Sequence, residues 1–426
     1  MKKIKIKLSS GLLMLALLTF TGCSAFTGDK TSDGSTAQQQ QSSDTQKPSE
    51  TEVQQSETEA DPIAEQIENM TIEEKIGQMV IVGLEGYEPD ENAEAMIRDY
   101  HVGGFILFRN NVKSSGQLLT LLNTLKQENT VNKVPLFLSV DEEGGRIDRM
   151  PEDISKLPSN MDIGKINNGD FSYKIGGLLA QQIKAFGFNM DFAPVLDIFS
   201  NPKNTVIGDR SFGTGADVVS KLGIQTMKGI REGGIIPVVK HFPGHGDTII
   251  DSHVGLPSVD YDMERLTSFE FVPFKEAIDN QADVVMVAHI LLSKIDPEYP
   301  ASLSKTVITD VLRDQLGFKG VIVTDDMTMG AIEKNYEVGK AAVRSVNAGS
   351  DIVLVCHEHE KRLAVLDALL KAAEDGTITE ERVNESLYRI LSLKSKYALS
   401  DSSIGTVNIK EINSRIKTVL EAAQNK

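Results

Sequence analysis

The 426-residue chain contains no tryptophan and only two cysteines, Cys23 and Cys356. It therefore lacks the largest aromatic platform for stacking a ligand ring, and it cannot build a disulfide framework. Basic residues are also scarce, since 44 Lys and Arg face 61 Asp and Glu for a formal net charge of −17. A chain this acidic is a poor binder of the phosphate backbone, so nucleic acid is not an expected partner.

The N-terminal apolar run, Gly11–Phe20, is too short to span a bilayer as a helix. A basic head of four lysines precedes it, and Thr21-Gly22-Cys23 follows it. This order resembles a bacterial lipoprotein signal, although Phe20 stands where such signals usually carry leucine. We expect residues 1–22 to be a signal peptide and Cys23 to be lipidated, anchoring the chain to the membrane outside the cytoplasm. The alternative is a plain secretory signal with a chance cysteine.

Residues 27–59 are polar and almost without apolar side chains, so they cannot form a core. The composition predicts a lipidated Cys23 followed by a disordered tether over residues 23–61. One large domain is expected over residues 62–398, and a helical tail over residues 399–426 that packs outside it.

Eight short apolar runs recur through the expected domain, each continuous rather than alternating, as in strands buried on both faces. They are Met79–Val82, Gly104–Leu107, Leu136–Val140, Met190–Pro194, Ile235–Val239, Val284–Ala288, Val321–Thr324 and Ile352–Val355.

Helical patterns fill the gaps between these runs. They are Ala93–Tyr100, Gly116–Gln127, Tyr173–Phe186, Val218–Glu232, Glu264–Asn280, Ser304–Leu316, Glu337–Asn347 and Arg362–Gly376. Eight repeats of strand and helix predict an α/β fold, a (β/α)₈ TIM barrel with a single catalytic domain. The alternative is a doubly wound open sheet, which would need a glycine-rich phosphate turn that the sequence lacks.

Titratable residues follow five of the eight predicted strands, and barrel geometry would bring them to one mouth. They are Asp141, Glu142, Glu143, Arg146 and Arg149 after the third strand, Asp197, Asp209 and Arg210 after the fourth, Lys240 and His241 after the fifth, His289 after the sixth, and Asp325 and Asp326 after the seventh.

Asp325 directly follows an apolar strand, so burial of its carboxylate is costly unless cations meet it. We expect Lys240, Arg149 and Arg210 to supply that charge, which suits a carboxylate nucleophile. The structural alternative is a helix N-cap, a role that Asp326 fits better.

Three histidines fall in one short segment, Lys240–His253. Asp251 and His253 are two residues apart, so in an extended loop the carboxylate would hold one ring nitrogen and leave the other free for proton transfer. Glycines 244, 246 and 255 would let this loop swing over a ligand. A zinc site formed by His241, His245 and His253 is a rival interpretation, but a lysine neighbours it and no HExxH pattern is present. We expect no metal and no cofactor.

These motifs together resemble glycoside hydrolase family 3, in its bacterial β-N-acetylglucosaminidase branch. The matching stretches are Asp141–Arg149, Asp191–Asp197, Gly208–Gly213, Lys240–His253 and Val323–Asp326, in the family's order. Many members carry a glutamate acid/base in a second domain. The resemblance implies that the Asp-Ser-His loop replaces it in this chain.

The resemblance implies a role for each matched residue. Asp325 would be the nucleophile, His253 the general acid/base and Asp251 its orienting partner, and the reaction would retain the anomeric configuration. Asp141, Arg149, Arg210, Lys240 and His241 would bind the sugar. Without tryptophan, specificity would rest on hydrogen bonds, as suits an exo site for one sugar. Glu142 stands where this branch often has glutamine, with little consequence expected.

Three hypotheses remain open from the sequence. The first is a lipid-anchored exo-β-N-acetylglucosaminidase acting on cell-wall glycans. The second is a β-glucosidase or a glycoside phosphorylase on the same barrel, because a histidine acid/base would not repel phosphate. The third is a non-catalytic sugar-binding lipoprotein. Attack by the substrate's own acetamide, through an oxazoline, is an alternative to the enzyme nucleophile. The oligomeric state is not indicated.

Overall fold

Eight parallel strands close into a barrel in the computed structural model, which describes residues 61–248 and 251–424. In chain order the strands are β1 Val80–Gly83, β2 Gly104–Leu107, β3 Phe137–Val140, β4 Met190–Asp191, β5 Ile236–Phe242, β6 Val284–Val287, β7 Val321–Asp326 and β8 Ile352–Val355. Each pairs with its neighbours in the chain, and β8 pairs with β1 to close the ring. Each overlaps one predicted run, so the predicted (β/α)₈ barrel is confirmed.

Helices surround the barrel. They are α1 Pro62–Glu68, α2 Ile72–Gln78, α3 Glu91–Arg98, α4 Ser115–Glu128, α5 Asn160–Ile166, α6 Gly169–Phe186, α7 Ala216–Glu232, α8 Met263–Ser268, α9 Val272–Asp279, α10 Gly330–Glu333, α11 Val338–Ala348, α12 His359–Glu374, α13 Glu380–Lys396 and α14 Ile409–Gln424, with a π-helix at Thr306–Gln315. Within the described residues, no helix is both long and apolar enough to cross a membrane. The predicted signal peptide, Cys23 and nearly all of the tether lie outside the described residues.

The continuous helix predicted over Glu264–Asn280 is wrong, since α8 and α9 are separate helices. The chain breaks at Phe269, whose backbone angles are φ −141° and ψ −73°. Pro273 then lies in the first turn of α9, where a residue without an N–H is tolerated. Helix α13 was not predicted. Helix α14 lies within the predicted tail, residues 399–426, and buries Ile412 and Ile416.

Polar groups at the N-terminal end of the barrel are paired with each other. Buried Asp351, just before β8, accepts hydrogen bonds from Arg382 at 3.0 Å and Arg389 at 2.9 Å and is also paired with Arg313. Buried Lys394 of α13 donates to the carbonyls of Gly103 and Pro135, which precede β2 and β3. This end of the barrel is therefore closed by structural ion pairs and hydrogen bonds, and the open chemistry lies at the other end.

Two strands carry an extra residue at their C-terminal ends. Between Val239 and Phe242, β5 advances three residues while β6 advances two. Between Val323 and Asp326, β7 likewise advances three residues while β8 advances two. Such bulges redirect side chains, and they lie where Lys240, His241 and Asp325 meet the mouth of the barrel.

Candidate active site

One pocket at the C-terminal mouth of the barrel gathers most of the predicted site. Asp141, Arg149, Arg210, Lys240, His241, His253 and Asp325 all line it. Apolar side chains also line it, among them Phe108, Ile147, Met329 and Leu354. Asp251 is not among the lining residues but supports the adjoining backbone. The pocket lining combines charged and apolar side chains, as a site for a polar ring requires.

Lys240 is buried between two carboxylates. Its Nζ lies 2.5 Å from Asp141 Oδ1 and 2.7 Å from Glu143 Oε1. Arg210 donates two hydrogen bonds to the same Glu143, from Nε to Oε2 at 2.8 Å and from Nη2 to Oε1 at 2.7 Å. Burial would lower the pKa of Lys240, but Asp141 and Glu143 outweigh it and the pKa is raised. Burial would raise the pKa of Glu143, but the two cations hold it below its usual value. Lys240, Arg210 and Glu143 are therefore charged at neutral pH.

This network corrects one prediction. Lys240 and Arg210 form ion pairs with Asp141 and Glu143, and within the described residues neither forms an ion pair with Asp325. The sequence pointed to the cations but not to Glu143 as their partner, because only the fold brings β3 and β5 together.

His241 is oriented by Asp197. The carboxylate accepts a hydrogen bond from His241 Nδ1 at 2.6 Å and from the backbone N–H of His245 at 2.6 Å. Burial would raise the pKa of Asp197, but His241 and His245 lower it below its usual value. Because Nδ1 donates to Asp197, His241 Nε2 faces the pocket side, 3.3 Å from Nη2 of Arg210. Asp197 was predicted only as a rim group, and its buried position assigns it an orienting role.

Asp325 presents a charged carboxylate to the pocket. Its Oδ1 accepts the backbone N–H of Asp326 at 2.9 Å, the one hydrogen bond this side chain makes within residues 61–248 and 251–424. Burial would raise its pKa, but His289 and His241 lower the pKa below its usual value. The second carboxylate oxygen is therefore available to a ligand.

Asp326 and His289 have structural roles. Asp326 accepts the N–H groups of Thr328 and Cys356, both at 2.9 Å, so it fixes the turn after β7 rather than capping a helix as predicted. His289 is buried, with Nδ1 2.6 Å from Ser302 Oγ and Nε2 2.9 Å from the carbonyl of Asp326. Burial lowers the pKa of His289, so the ring is neutral and both nitrogens are occupied.

The Asp251–His253 pair differs from the predicted geometry. Asp251 Oδ1 accepts the backbone N–H of His253 at 2.9 Å, and within the described residues no hydrogen bond joins the carboxylate to the imidazole. Asp251 thus shapes the backbone that carries His253, whose ring is exposed at the pocket. Orientation of the ring by Asp251 stays a prediction.

Two buried acids near the pocket, Glu142 and Asp191, form no ion pair within the described residues. Glu142 Oε2 accepts the backbone N–H of Arg149 at 2.7 Å, which shapes the loop after β3. Burial, with Asp148 nearby, raises the pKa of Glu142 well above its usual value. Burial also raises the pKa of Asp191 well above its usual value. Arg149 lines the pocket, and its Nε is buried without a hydrogen-bond partner in the described structure.

In the described part of the chain, no group of three or more His, Cys, Asp or Glu side chains is arranged to hold a metal ion. His245, one member of the rival zinc set, instead bonds through Nδ1 to Thr248 Oγ1 at 2.7 Å and through Nε2 to Ser252 Oγ at 3.1 Å.

A barrel mouth that holds a charged carboxylate, an imidazole and polar donors suits the chemistry of a glycoside hydrolase. Residues 71–393 match the model of the glycosyl hydrolase family 3 N-terminal domain, and the chain belongs to this family. The resemblance predicted from the motifs is confirmed.

Curated relatives and a solved structure agree. Beta-hexosaminidase A of Pseudoalteromonas piscicida is 34% identical over 75% of this chain and 57% of that protein. The beta-hexosaminidase of Idiomarina loihiensis is 34% identical over 72% of this chain and 92% of that protein. A glycoside hydrolase family 3 beta-N-acetylglucosaminidase from Paenibacillus sp. str. FPU-7 is 41% identical, with a TM-score of 0.78 over 83% of this chain and 69% of that chain. The match thus spans just over half of the first relative and nearly all of the second.

Proposed function

We infer that the protein is an exo-β-N-acetylglucosaminidase that removes terminal GlcNAc by a retaining mechanism. The observation that carries this proposal is the joint presence of Asp325 and His253 in one small pocket of the barrel mouth. The names of the relatives support the choice of sugar. A receptor would need a binding wall, but it would not need a charged carboxylate with a free oxygen facing the ligand.

In the proposed first step, the free oxygen of Asp325 attacks the anomeric carbon and the bond to the leaving oxygen breaks. His253 donates its proton to that oxygen, so the leaving group departs neutral. In the second step His253 removes a proton from water, and the resulting nucleophile attacks the anomeric carbon and releases Asp325. Two displacements at one carbon restore its configuration. Asp325 suits this role because its lowered pKa keeps it ionised at neutral pH.

The charged side chains that line the pocket form the proposed sugar-binding surface. Asp141 is an acceptor for sugar hydroxyls, and Lys240, Arg210 and Arg149 supply donors. The pairing of Lys240 and Arg210 with Glu143 holds these donors in place before the substrate arrives. Such prearrangement lowers the cost of ordering the site on binding.

Purified protein should hydrolyse 4-nitrophenyl β-N-acetylglucosaminide at least ten times faster than 4-nitrophenyl β-glucoside, measured as kcat/KM by nitrophenol release. Proton NMR of the first product should show the β anomer. Equal rates on both substrates would favour the β-glucosidase alternative. A sugar 1-phosphate as the main product in phosphate buffer would favour the phosphorylase, and tight binding without turnover would favour the receptor.

We also propose that the protein is anchored outside the cytoplasm through a lipid on Cys23, where cell-wall fragments would be its substrates. The support is the order of basic head, apolar run and cysteine in residues 2–23. Expression of the full chain with a radiolabelled or alkyne fatty acid should label the wild type, and Cys23→Ala should abolish the label and release the protein from the membrane fraction. Labelling of the Cys23→Ala variant would contradict the anchor.

A further inference from the structure

The short segment that carries His253, residues 251–254, is held from two sides. On one side the buried Ser252 hydroxyl lies 3.1 Å from His245 Nε2. On the other side the Ser252 carbonyl accepts the N–H of Ala331 at 3.0 Å, and the Val254 carbonyl accepts Lys334 Nζ at 2.5 Å. These contacts tie the segment both to the end of β5 and to helix α10.

His245 makes the first attachment through a directed chain of hydrogen bonds. The Thr248 hydroxyl lies 3.0 Å from the carbonyl of His245 and 2.7 Å from its Nδ1. When that hydroxyl donates to the carbonyl, Nδ1–H donates to Thr248 and Nε2 accepts from the Ser252 hydroxyl. His245 is buried, and burial lowers its pKa, which is consistent with the neutral ring that this chain requires.

Gly330 permits the second attachment because it has no side chain. A Cβ atom built there would lie 2.6 Å from the carbonyl oxygen of His253 and 3.2 Å from its carbonyl carbon. The contact is with backbone, so it can be relieved only by movement of α10 or of the 251–254 segment. Gly330 is the first residue of α10 and its φ is not positive, so alanine at this position would strain only the approach of the segment, not the helix.

Helix α10 is connected to Asp325, the proposed nucleophile, by a short and well-anchored turn. Only four residues separate Asp325 from Gly330, and the turn between them is fixed by the two N–H groups that Asp326 accepts. Met329, next to Gly330, is buried. The distance between the acid/base group and the nucleophile therefore depends on how closely the 251–254 segment approaches α10.

We propose that Gly330 and the Ser252–His245 hydrogen bond are positioning elements that seat His253 at the leaving-group side of Asp325. This proposal rests on the proposed function for its catalytic consequence. The structural part of the proposal is that α10 and His245 together hold the 251–254 segment in place. That part rests only on the contacts described above. Neither Gly330 nor Ser252 is assigned any contact with the reacting atoms.

The test compares Gly330→Ala and Ser252→Ala with Gly177→Ala. Gly177 lies within helix α6, and a Cβ there would meet no atom within 4 Å. Amide hydrogen exchange of the peptide covering residues 251–255 should speed up in the first two variants and stay at the wild-type rate in the control. An unchanged rate of amide hydrogen exchange for residues 251–255 in Gly330→Ala would contradict the proposal that α10 holds this segment, whatever the activity of the variant.

The catalytic consequence is measured with two substrates that differ in their need for an acid. Gly330→Ala should lower kcat/KM for a GlcNAc disaccharide by about 10- to 100-fold, since a misplaced acid group costs this order of rate. The loss should be several-fold smaller for 2,4-dinitrophenyl β-N-acetylglucosaminide, whose leaving group needs no proton, and added azide should partly restore turnover. Equal losses on both substrates without azide rescue would overturn the positioning role. An inactive wild type would instead overturn the proposed function.

Discussion

Replacing Asp325 with asparagine is expected to lower kcat for 4-nitrophenyl β-N-acetylglucosaminide by about 10⁴-fold, because the proposed covalent step loses its nucleophile. Asparagine keeps the shape of the side chain and an oxygen that can accept the N–H of Asp326. The variant should therefore fold like the wild type, but its melting temperature should be no higher, because the lowered pKa of Asp325 means that the folded protein favours the charged carboxylate. The measurements are steady-state kinetics and a thermal melt on the same preparation.

Asp279→Asn is the matched control, because Asp279 is a helical carboxylate on the surface that pairs only with Lys275 among the described residues. Its kcat should equal that of the wild type. Turnover of Asp325→Asn within tenfold of the wild type would contradict the nucleophile assignment, as would a loss shared by both variants.

The neighbouring acids Glu142 and Glu143 are expected to respond in opposite ways to the same change. Glu143 is ionised between Lys240 and Arg210, so Glu143→Gln leaves Lys240 paired only with Asp141 and takes away the ion pair that Arg210 forms within the described residues. Breaking a buried ion pair in this way costs about 3–5 kcal/mol of unfolding free energy. It should also lower kcat/KM by at least about 100-fold, because the proposed sugar donors lose their common anchor.

Glu142→Gln should be nearly silent. Burial raises the pKa of Glu142 well above its usual value, so the side chain is already neutral, and glutamine can still accept the N–H of Arg149. We expect a change in unfolding free energy of less than about 1 kcal/mol, measured by urea denaturation monitored by circular dichroism. Equal loss of unfolding free energy in the two variants would contradict the assignment of Glu143 as ionised and Glu142 as neutral.

The barrel could be predicted from the sequence because its strands are buried on both faces and are therefore continuously apolar. Runs such as Val284–Ala288 and Ile352–Val355 can be recognised as strands without knowing which strands they pair with. Six of the seven pocket residues were predicted because a residue that follows a strand in a parallel barrel must lie at the same rim as its counterparts. The seventh, His253, was predicted from its spacing to Asp251 and from the family resemblance. Helix boundaries were less secure, because a break such as that at Phe269 depends on tertiary packing.

The connections between site residues could not be predicted. Glu143 meets Lys240 across 97 positions of sequence, and Asp197 meets His241 across 44. Which anion neutralises which cation depends on distances of a few ångströms that only the folded barrel sets. The expectation that Lys240, Arg149 and Arg210 would supply the charge that meets Asp325 was wrong for this reason, since none of the three forms an ion pair with it among the described residues.

Glycines illustrate the same limit. Gly246 was predicted to give the loop freedom, but a Cβ there would lie 1.7 Å from the carbonyl oxygen of Ile198, so this glycine permits close packing. Gly330 carries no local sequence signal at all, yet it sets the approach of the segment that bears His253.

The most direct test of the account is to trap the intermediate with a 5-fluoro glycosyl fluoride of N-acetylglucosamine and to map the adduct by peptide mass spectrometry. We expect one added glycosyl group on the peptide containing Asp325, at that residue, and no such group on Asp325→Asn. Turnover of the reagent without any adduct, as expected for an oxazoline route, or an adduct on a different residue would contradict it.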